Sequence, residues 1–264
     1  MNTMFTLLLL ASLWACPVRA QETLLVAGTG ENQEVLRAVA QQFQAKHPGV
    51  TVEVPDSIGS GGGIKALKKG KTDIARIGRP LKETEKAGLV EHLFGRSAVV
   101  FATHPSVTKV DHLTTAQIQE IYTGKITNWQ EVGGPDAKIY PISRETGDSA
   151  RIVLEAKMPG FKDLKLVSKE IFSSPEAVQT VRTNEFTIAY LSLAAAHDGG
   201  LNFLKIDGKS PILDTKGTVD YPYLIPFYLV TSETPSALAK EFIDFTLSPE
   251  GRSILLANGT LPLN

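Results

Sequence analysis

Three turns rich in glycine and hydroxyl residues constrain this chain more than any other feature. They are Gly28-Thr29-Gly30-Glu31-Asn32, Ser57-Ile58-Gly59-Ser60-Gly61-Gly62-Gly63 and Arg144-Glu145-Thr146-Gly147-Asp148-Ser149-Ala150-Arg151. Each stands between a short apolar run and an amphipathic stretch. Leu24 to Gly28 reads as a buried strand that stops at glycine, and Val35, Leu36, Val39 and Phe43 then share one helical face. His47-Pro48-Gly49 closes that helix, and Val50 to Val54 is the next strand. The second turn opens a helix that points Ile64 and Leu67 inward, and Asp73 to Ile77 is a third strand. Strand, helix, strand, helix, strand predicts a parallel α/β arrangement.

The alternation continues. Ser97 to Thr103 is a very apolar strand, broken by His104-Pro105. Thr114 and Gln117 have the spacing of a capping box ahead of Ile118, Ile121 and Tyr122, with Gly124 at the close. Ile139 to Ile142 and Thr187 to Leu191 are strands, and Ser174-Pro175-Glu176 starts a helix. Ile225 to Thr231 is extended, and helices carrying Leu238, Phe242 and Phe245 and then Ser248-Pro249-Glu250 finish the chain. The segments 97–103 and 222–231 both read as crossovers, which makes the first lobe discontinuous and the pair a hinge. The expected division is 21–102 with 223–264 in one lobe and 103–222 in the other, each built on a five-stranded mixed sheet.

The first twenty residues differ from the rest. Met4 to Ala15 is an apolar core too short for a comfortable membrane span, and Val18-Arg19-Ala20 offers the small residues a signal peptidase reads. Residues 1–20 are therefore expected to be a signal peptide, cut before Gln21, which places the protein in the periplasm. The single cysteine, Cys16, falls inside that segment, so neither a disulfide framework nor thiol chemistry is expected in the mature chain. Trp14 is bulky where a lipoprotein box has a small residue, which disfavours lipid anchoring at Cys16.

A formal charge of −1 provides no bulk field for nucleic acid, so any anion must be held by a local site. The turns supply one. A helix start presents unpaired N–H groups and about half a positive charge. Glycine lets the backbone come close, and serine or threonine adds donors without bulk. One such turn alone is usually a tight connection. Three of them converging beyond the strand carboxyl ends would hold a tetrahedral oxyanion, with Arg144 adding a charged fork.

Nearly the whole mature chain resembles the phosphate-binding proteins of ABC phosphate importers, most specifically over Leu113 to Trp129, continued by Glu131 to Gly134. The loop Gly59 to Gly63, the stretch Asp73 to Leu81 and the ending Phe242 to Pro262 are similar too. The resemblance implies a periplasmic binding protein-like fold of type II, with two lobes of mixed sheets joined by a two-strand hinge. It also implies capture of phosphate in the interlobe cleft by a monomer that serves a membrane ABC permease, without cofactor. By their place in the family's motifs and in the turns, the expected ligand-binding residues are Thr29, Gly30, Ser57, Ser60, Gly61, Arg79, Arg144, Asp148 and Ser149. Three departures stand out: Ala150 replaces a threonine donor, Gly78 a serine, and Pro226 an arginine often present before the late strand's aromatic pair. Asp148 is the pointed substitution. A carboxylate repels a dianion unless it accepts the proton that phosphate keeps and sulfate lacks; its plainer reading is a helix-start aspartate facing solvent.

A phosphate-ester hydrolase would need a nucleophile with a base, but Ile58 stands where a G-x-S-x-G elbow needs glycine, and no histidine is marked as a partner for Ser60. No enzyme activity is therefore expected. The five histidines lack metal-ligand spacing, so no metal is assigned. A sensor or docking protein that keeps this fold for another anion or organic ligand is the remaining alternative, suggested by the altered third turn.

Overall fold

The computed structural model describes residues 21–212 and 220–263. The expected signal peptide, with Cys16, lies outside them. In chain order the elements are β1 (Glu22–Gly28), α1 (Gln33–Lys46), β2 (Val50–Glu53), α2 (Gly59–Lys68), β3 (Ile74–Ile77), β4 (Leu89–Thr103), β5 (His112–Leu113), α3 (Thr115–Tyr122), β6 (Tyr140–Arg144), α4 (Ser149–Lys157) and β7 (Lys169–Ile171). They continue with α5 (Ser174–Thr183), β8 (Thr187–Ser192), α6 (Leu193–Ala196), β9 (Asn202–Ile206), β10 (Leu224–Ser232), α7 (Ala237–Leu247), α8 (Pro249–Ala257) and β11 (Leu261–Pro262).

The opening alternation folds as its pattern predicts. β1 lies between β2 and β3 and is parallel to both. The α1 residues Val35, Leu36, Val39 and Phe43 are all fully buried against this sheet. Phe43 meets Phe242 of α7 edge-on with ring centroids 5.4 Å apart, so the last helices close over the first. α3 carries the full capping box, in which Thr114 Oγ1 accepts from the Gln117 amide while the Gln117 side chain takes the Thr114 amide. Helices α5 and α8 each place proline in the first turn, behind the caps Ser173 and Ser248.

The strands run in the order β2-β1-β3-β10-β4-β8-β6-β7, with β9 and β11 also on β4 and β5 on β9. β4 is common to both halves of this array. It pairs antiparallel with β10 as far as Ala98, and with β8 from Val99 onward. Of the expected crossover 97–103, Ser97 and Ala98 pair with Ile225 and Leu224 of the other, and the antiparallel ribbon then runs to Ser232 opposite Leu89; the rest of 97–103 pairs with β8 and β9. β4 begins eight residues before the apolar run expected at 97–103. Its first part mixes polar and apolar residues because much of that antiparallel ladder is only half-buried. The halves are mixed sheets of five strands each, as expected, once β4 is counted in both, with the short β11 and β5 as additions.

The second half has its own aromatic core. Tyr122, Phe101, Phe161 and Tyr190 pack at centroid separations of 5.5–6.4 Å. Trp129 is fully buried, and its indole N–H donates to the Phe186 carbonyl at 3.0 Å. Among the described residues, no helix is long and apolar enough to cross a membrane.

Candidate functional site: a buried cluster where the turns meet

The first turn is shaped by a close crossing of backbones. Gly28 sits at φ +152°, and a Cβ there would lie 1.9 Å from the Arg76 carbonyl oxygen. Arg76, fully buried, then fastens the surrounding connections with its guanidinium. It donates to the carbonyls of Val26 (2.6 Å), Thr29 (2.9 Å) and Pro55 (2.7 Å) and to Gln33 Oε1 (3.0 Å). Burial, chiefly, lowers its pKa to about 10. The Ile58 amide donates to the Gly28 carbonyl, so the second turn is tied to the first.

In the second turn, Ser57 is half-buried and its Oγ accepts from the Gly59 amide at 3.4 Å. The glycine run divides its roles. A Cβ at Gly63 would stand 2.9 Å from the Ala27 oxygen and from Gly28 Cα, so this glycine lets α2 lie against β1. Gly61 is exposed, with open space at its Cβ position. Ser60 is buried. Its Oγ accepts from the Gly78 amide at 3.2 Å and lies 3.4 Å from Ser149 Oγ, a residue of the second half. A Cβ on Gly78 would come within 2.4 Å of that same Ser149 oxygen, so a larger residue there would collide.

The third turn centres on Arg144, which is buried and fully engaged. Nε donates to the Ile171 carbonyl, and Nη1 donates to Glu31 Oε1 at 3.0 Å and to Ser174 Oγ at 2.9 Å. Nη2 faces Asp148 Oδ2 at 3.1 Å and Glu145 Oε2 at 3.4 Å. Asp148 caps α4 by accepting from the Arg151 amide at 3.0 Å. It is also buried, so the solvent-facing reading of this aspartate does not hold. Burial first, and Glu31 next, push its carboxyl up to about 8 against the pull of Arg144. Burial likewise raises Glu145. Burial opposes the charge on Arg144 itself, but Asp148, Glu31 and Glu145 outweigh it and raise its pKa.

The structure brings Thr29, Gly30, Ser57, Ser60, Arg144, Asp148 and Ser149 into one region. Gly30 shows the join: a Cβ there would meet Pro175 Cδ at 2.9 Å and both Ser174 Oγ and Ser57 Cβ at 3.2 Å. Arg79 is not part of it. Its guanidinium forms a two-pronged pair with Glu85, at 2.7 and 2.9 Å, and a further bond to the Pro80 carbonyl. A planar carboxylate six residues ahead satisfies the fork before it can reach the turns.

Sequence reasoning did not select Glu31, Ser174 or Ser192. Glu31 is fully buried. Its Oε2 accepts from the Ser192 amide and its carbonyl from Ser192 Oγ, both at 2.7 Å. Its amide donates to Thr29 Oγ1. The one available signal was an acid inside an otherwise neutral anion-binding pattern.

Known proteins resemble this chain over most of its length. A family model described as a PBP superfamily domain matches residues 18–250. The chain is 26% identical over 250 residues to the phosphate-binding protein PstS of Bacillus subtilis, covering 93% of this chain and 82% of that one. It is 29% identical over 221 residues to the protein of the same name from Borreliella burgdorferi, covering 78% of each. Among solved structures, a protein from Clostridium perfringens carrying bound phosphate, described as a phosphate ABC transporter substrate-binding protein, superposes with a TM-score of 0.81. It shares 33% identity with this chain, and the match covers 92% of this chain and all of that one.

Proposed function

The chain belongs to the PBP superfamily, and on that footing we propose that it captures phosphate between its two halves as the binding component of an ABC importer. The observation that carries this reading is the meeting of Ser60 and Ser149, hydroxyls from opposite halves, beside the buried charge of Arg144. Hydroxyls and turn amides give many short, neutral donors, and the arginine supplies full positive charge. The relatives are named as binding proteins, not enzymes, and no nucleophile–base pair is needed to account for the turns. The ligand-binding set in this reading is Thr29, Gly30, Ser57, Ser60, Arg144, Asp148 and Ser149. Arg79, paired with Glu85, and the exposed Gly61 stay outside it. Residues 21–98 with 224–263 form one lobe and 99–223 the other, and the β4–β10 ribbon serves as the hinge. Closure follows from a ligand that touches both lobes, since it favours the state in which both contact it. Residues 1–20 export the chain to the periplasm, where a membrane permease receives the loaded protein.

Asp148 gives this site its preference. Above about pH 8, where the Asp148 carboxyl is ionised, the phosphate dianion still carries a proton that it can donate to this carboxylate, whereas sulfate has none to give. Titration calorimetry with phosphate and sulfate above that pH tests the reading on wild-type protein and Asp148→Asn. Wild-type protein is expected to bind phosphate in preference to sulfate, by a margin that narrows in the variant. Absence of a heat signal with phosphate in wild-type protein would overturn the phosphate assignment, and unchanged selectivity in the variant would remove Asp148 from it.

A further inference from the structure

Arg144 faces three acids, Glu31, Asp148 and Glu145, within 3.4 Å. A bound oxyanion would add still more negative charge around a single guanidinium. Glu31 differs from the other two because it comes from the opposite half. It leaves the turn after β1 and bonds at both oxygens to the far side, to Arg144 Nη1 at 3.0 Å and to the Ser192 amide at 2.7 Å. A guanidinium and a backbone N–H are the donors that an oxyanion seeks. A carboxylate offers them two oxygens and one negative charge, which is what a ligand would bring. Around it the halves already touch, at Ser60 with Ser149 and at Gly30 with Pro175.

We infer that Glu31 is a built-in competitor for the oxyanion: its carboxylate occupies Arg144 and the Ser192 amide in the ligand's stead, latches the two halves together, and leaves when the ligand takes its donors. The inference deepens the phosphate-capture reading and rests on it for the identity of the ligand, though not for the latch itself. Affinity then reflects a difference between two anions for one set of donors. Glu31 also becomes a specificity-determining residue, because an anion that binds the arginine no better than a carboxylate does cannot displace it.

The test separates the latch from the ligand. Small-angle scattering of ligand-free wild-type protein and Glu31→Gln reads the latch alone; the variant is expected to show the larger radius of gyration. Phosphate calorimetry on the same two proteins reads the competition, and Glu31→Gln is expected to bind tighter by about tenfold or more, within the span of ordinary coupling between sites. Equal scattering curves together with equal or weaker phosphate binding in the variant overturn the inference, since a carboxylate that only orients Arg144 for the ligand would lower affinity when neutralised. If neither protein binds phosphate, the phosphate reading falls and scattering alone decides: expansion of the variant upholds the latch, and its absence overturns it. Should Glu31→Gln fail to fold, Glu31→Asp keeps the charge but withdraws the carboxylate by one methylene, and the same two readings apply to it.

Discussion

Asp148 makes the fold itself sensitive to pH, in the direction opposite to the usual aspartate. Its carboxyl is pushed up to about 8 in the folded chain, by burial first and by Glu31 next, from the ordinary aspartate value of 3.8. Below both values the group is protonated in the folded and unfolded states and contributes no difference. As pH rises between them, the unfolded chain gives up this proton while the folded chain keeps it, so stability falls. The slope for one such group is about 1.4 kcal/mol per pH unit. Across the two units from about pH 5 to about pH 7 the loss amounts to about 3 kcal/mol. Asp148→Asn removes the titration and keeps a residue that caps helices as well as aspartate does. It also forfeits the contact with Arg144 Nη2, a cost that does not change with pH, so the diagnostic quantity is the slope and not the absolute stability. Urea unfolding followed by circular dichroism, in phosphate-free buffers at both pH values, would measure it for the two proteins. Wild-type protein is expected to lose about 3 kcal/mol more than the variant over this interval. Parallel pH profiles would refute the reasoning and show that Asp148 ionises in the folded chain as it does in the unfolded one.

Two further substitutions address the geometry. Gly78→Ala drives a methyl group to 2.4 Å from Ser149 Oγ, and overpacking of this kind should cost about 1–3 kcal/mol in thermal or urea unfolding. Adding Ser149→Gly should recover most of that loss, and a double-mutant cycle would give the coupling. Arg76→Leu strips the carbonyls of Val26, Thr29 and Pro55 of a buried donor and should cost about 3 kcal/mol or more by the same measurement. Arg76→Lys should restore only part of it, because one ammonium cannot span the positions the guanidinium reaches.

Much of the fold was legible because its signals are local. The Val35–Phe43 stripe, the Thr114–Gln117 box and the serine-proline helix starts each decide a few residues on their own, and the structure has them all. The meeting of Ser60 with Ser149 was legible as well, since turns that follow parallel strands leave the sheet at the same edge. What escaped depends on partners distant in the chain or on competition nearby. The first part of β4 is held by β10, more than a hundred residues later, and its mixed composition does not announce a strand. Arg79 had two claims on it, the cleft and Glu85, and the acid in its own loop prevails by proximity. Glu31 looked like one more polar turn residue. Its burial comes from Arg144 and Ser192, which no reading of the first turn alone would bring to it.

The pairing of β10 between β3 and β4 has a consequence for how the chain is made. Synthesis delivers β1 to β3 and then β4, but the strand that joins them into one sheet is nearly the last to emerge. Everything from β5 to β9 is complete by then, and its entry and exit strands lie side by side. The later-made half can therefore consolidate as an insert while the earlier-made one waits, its central position unfilled, until residues 224–232 emerge. The lobe that begins the chain is thus the one that finishes folding last.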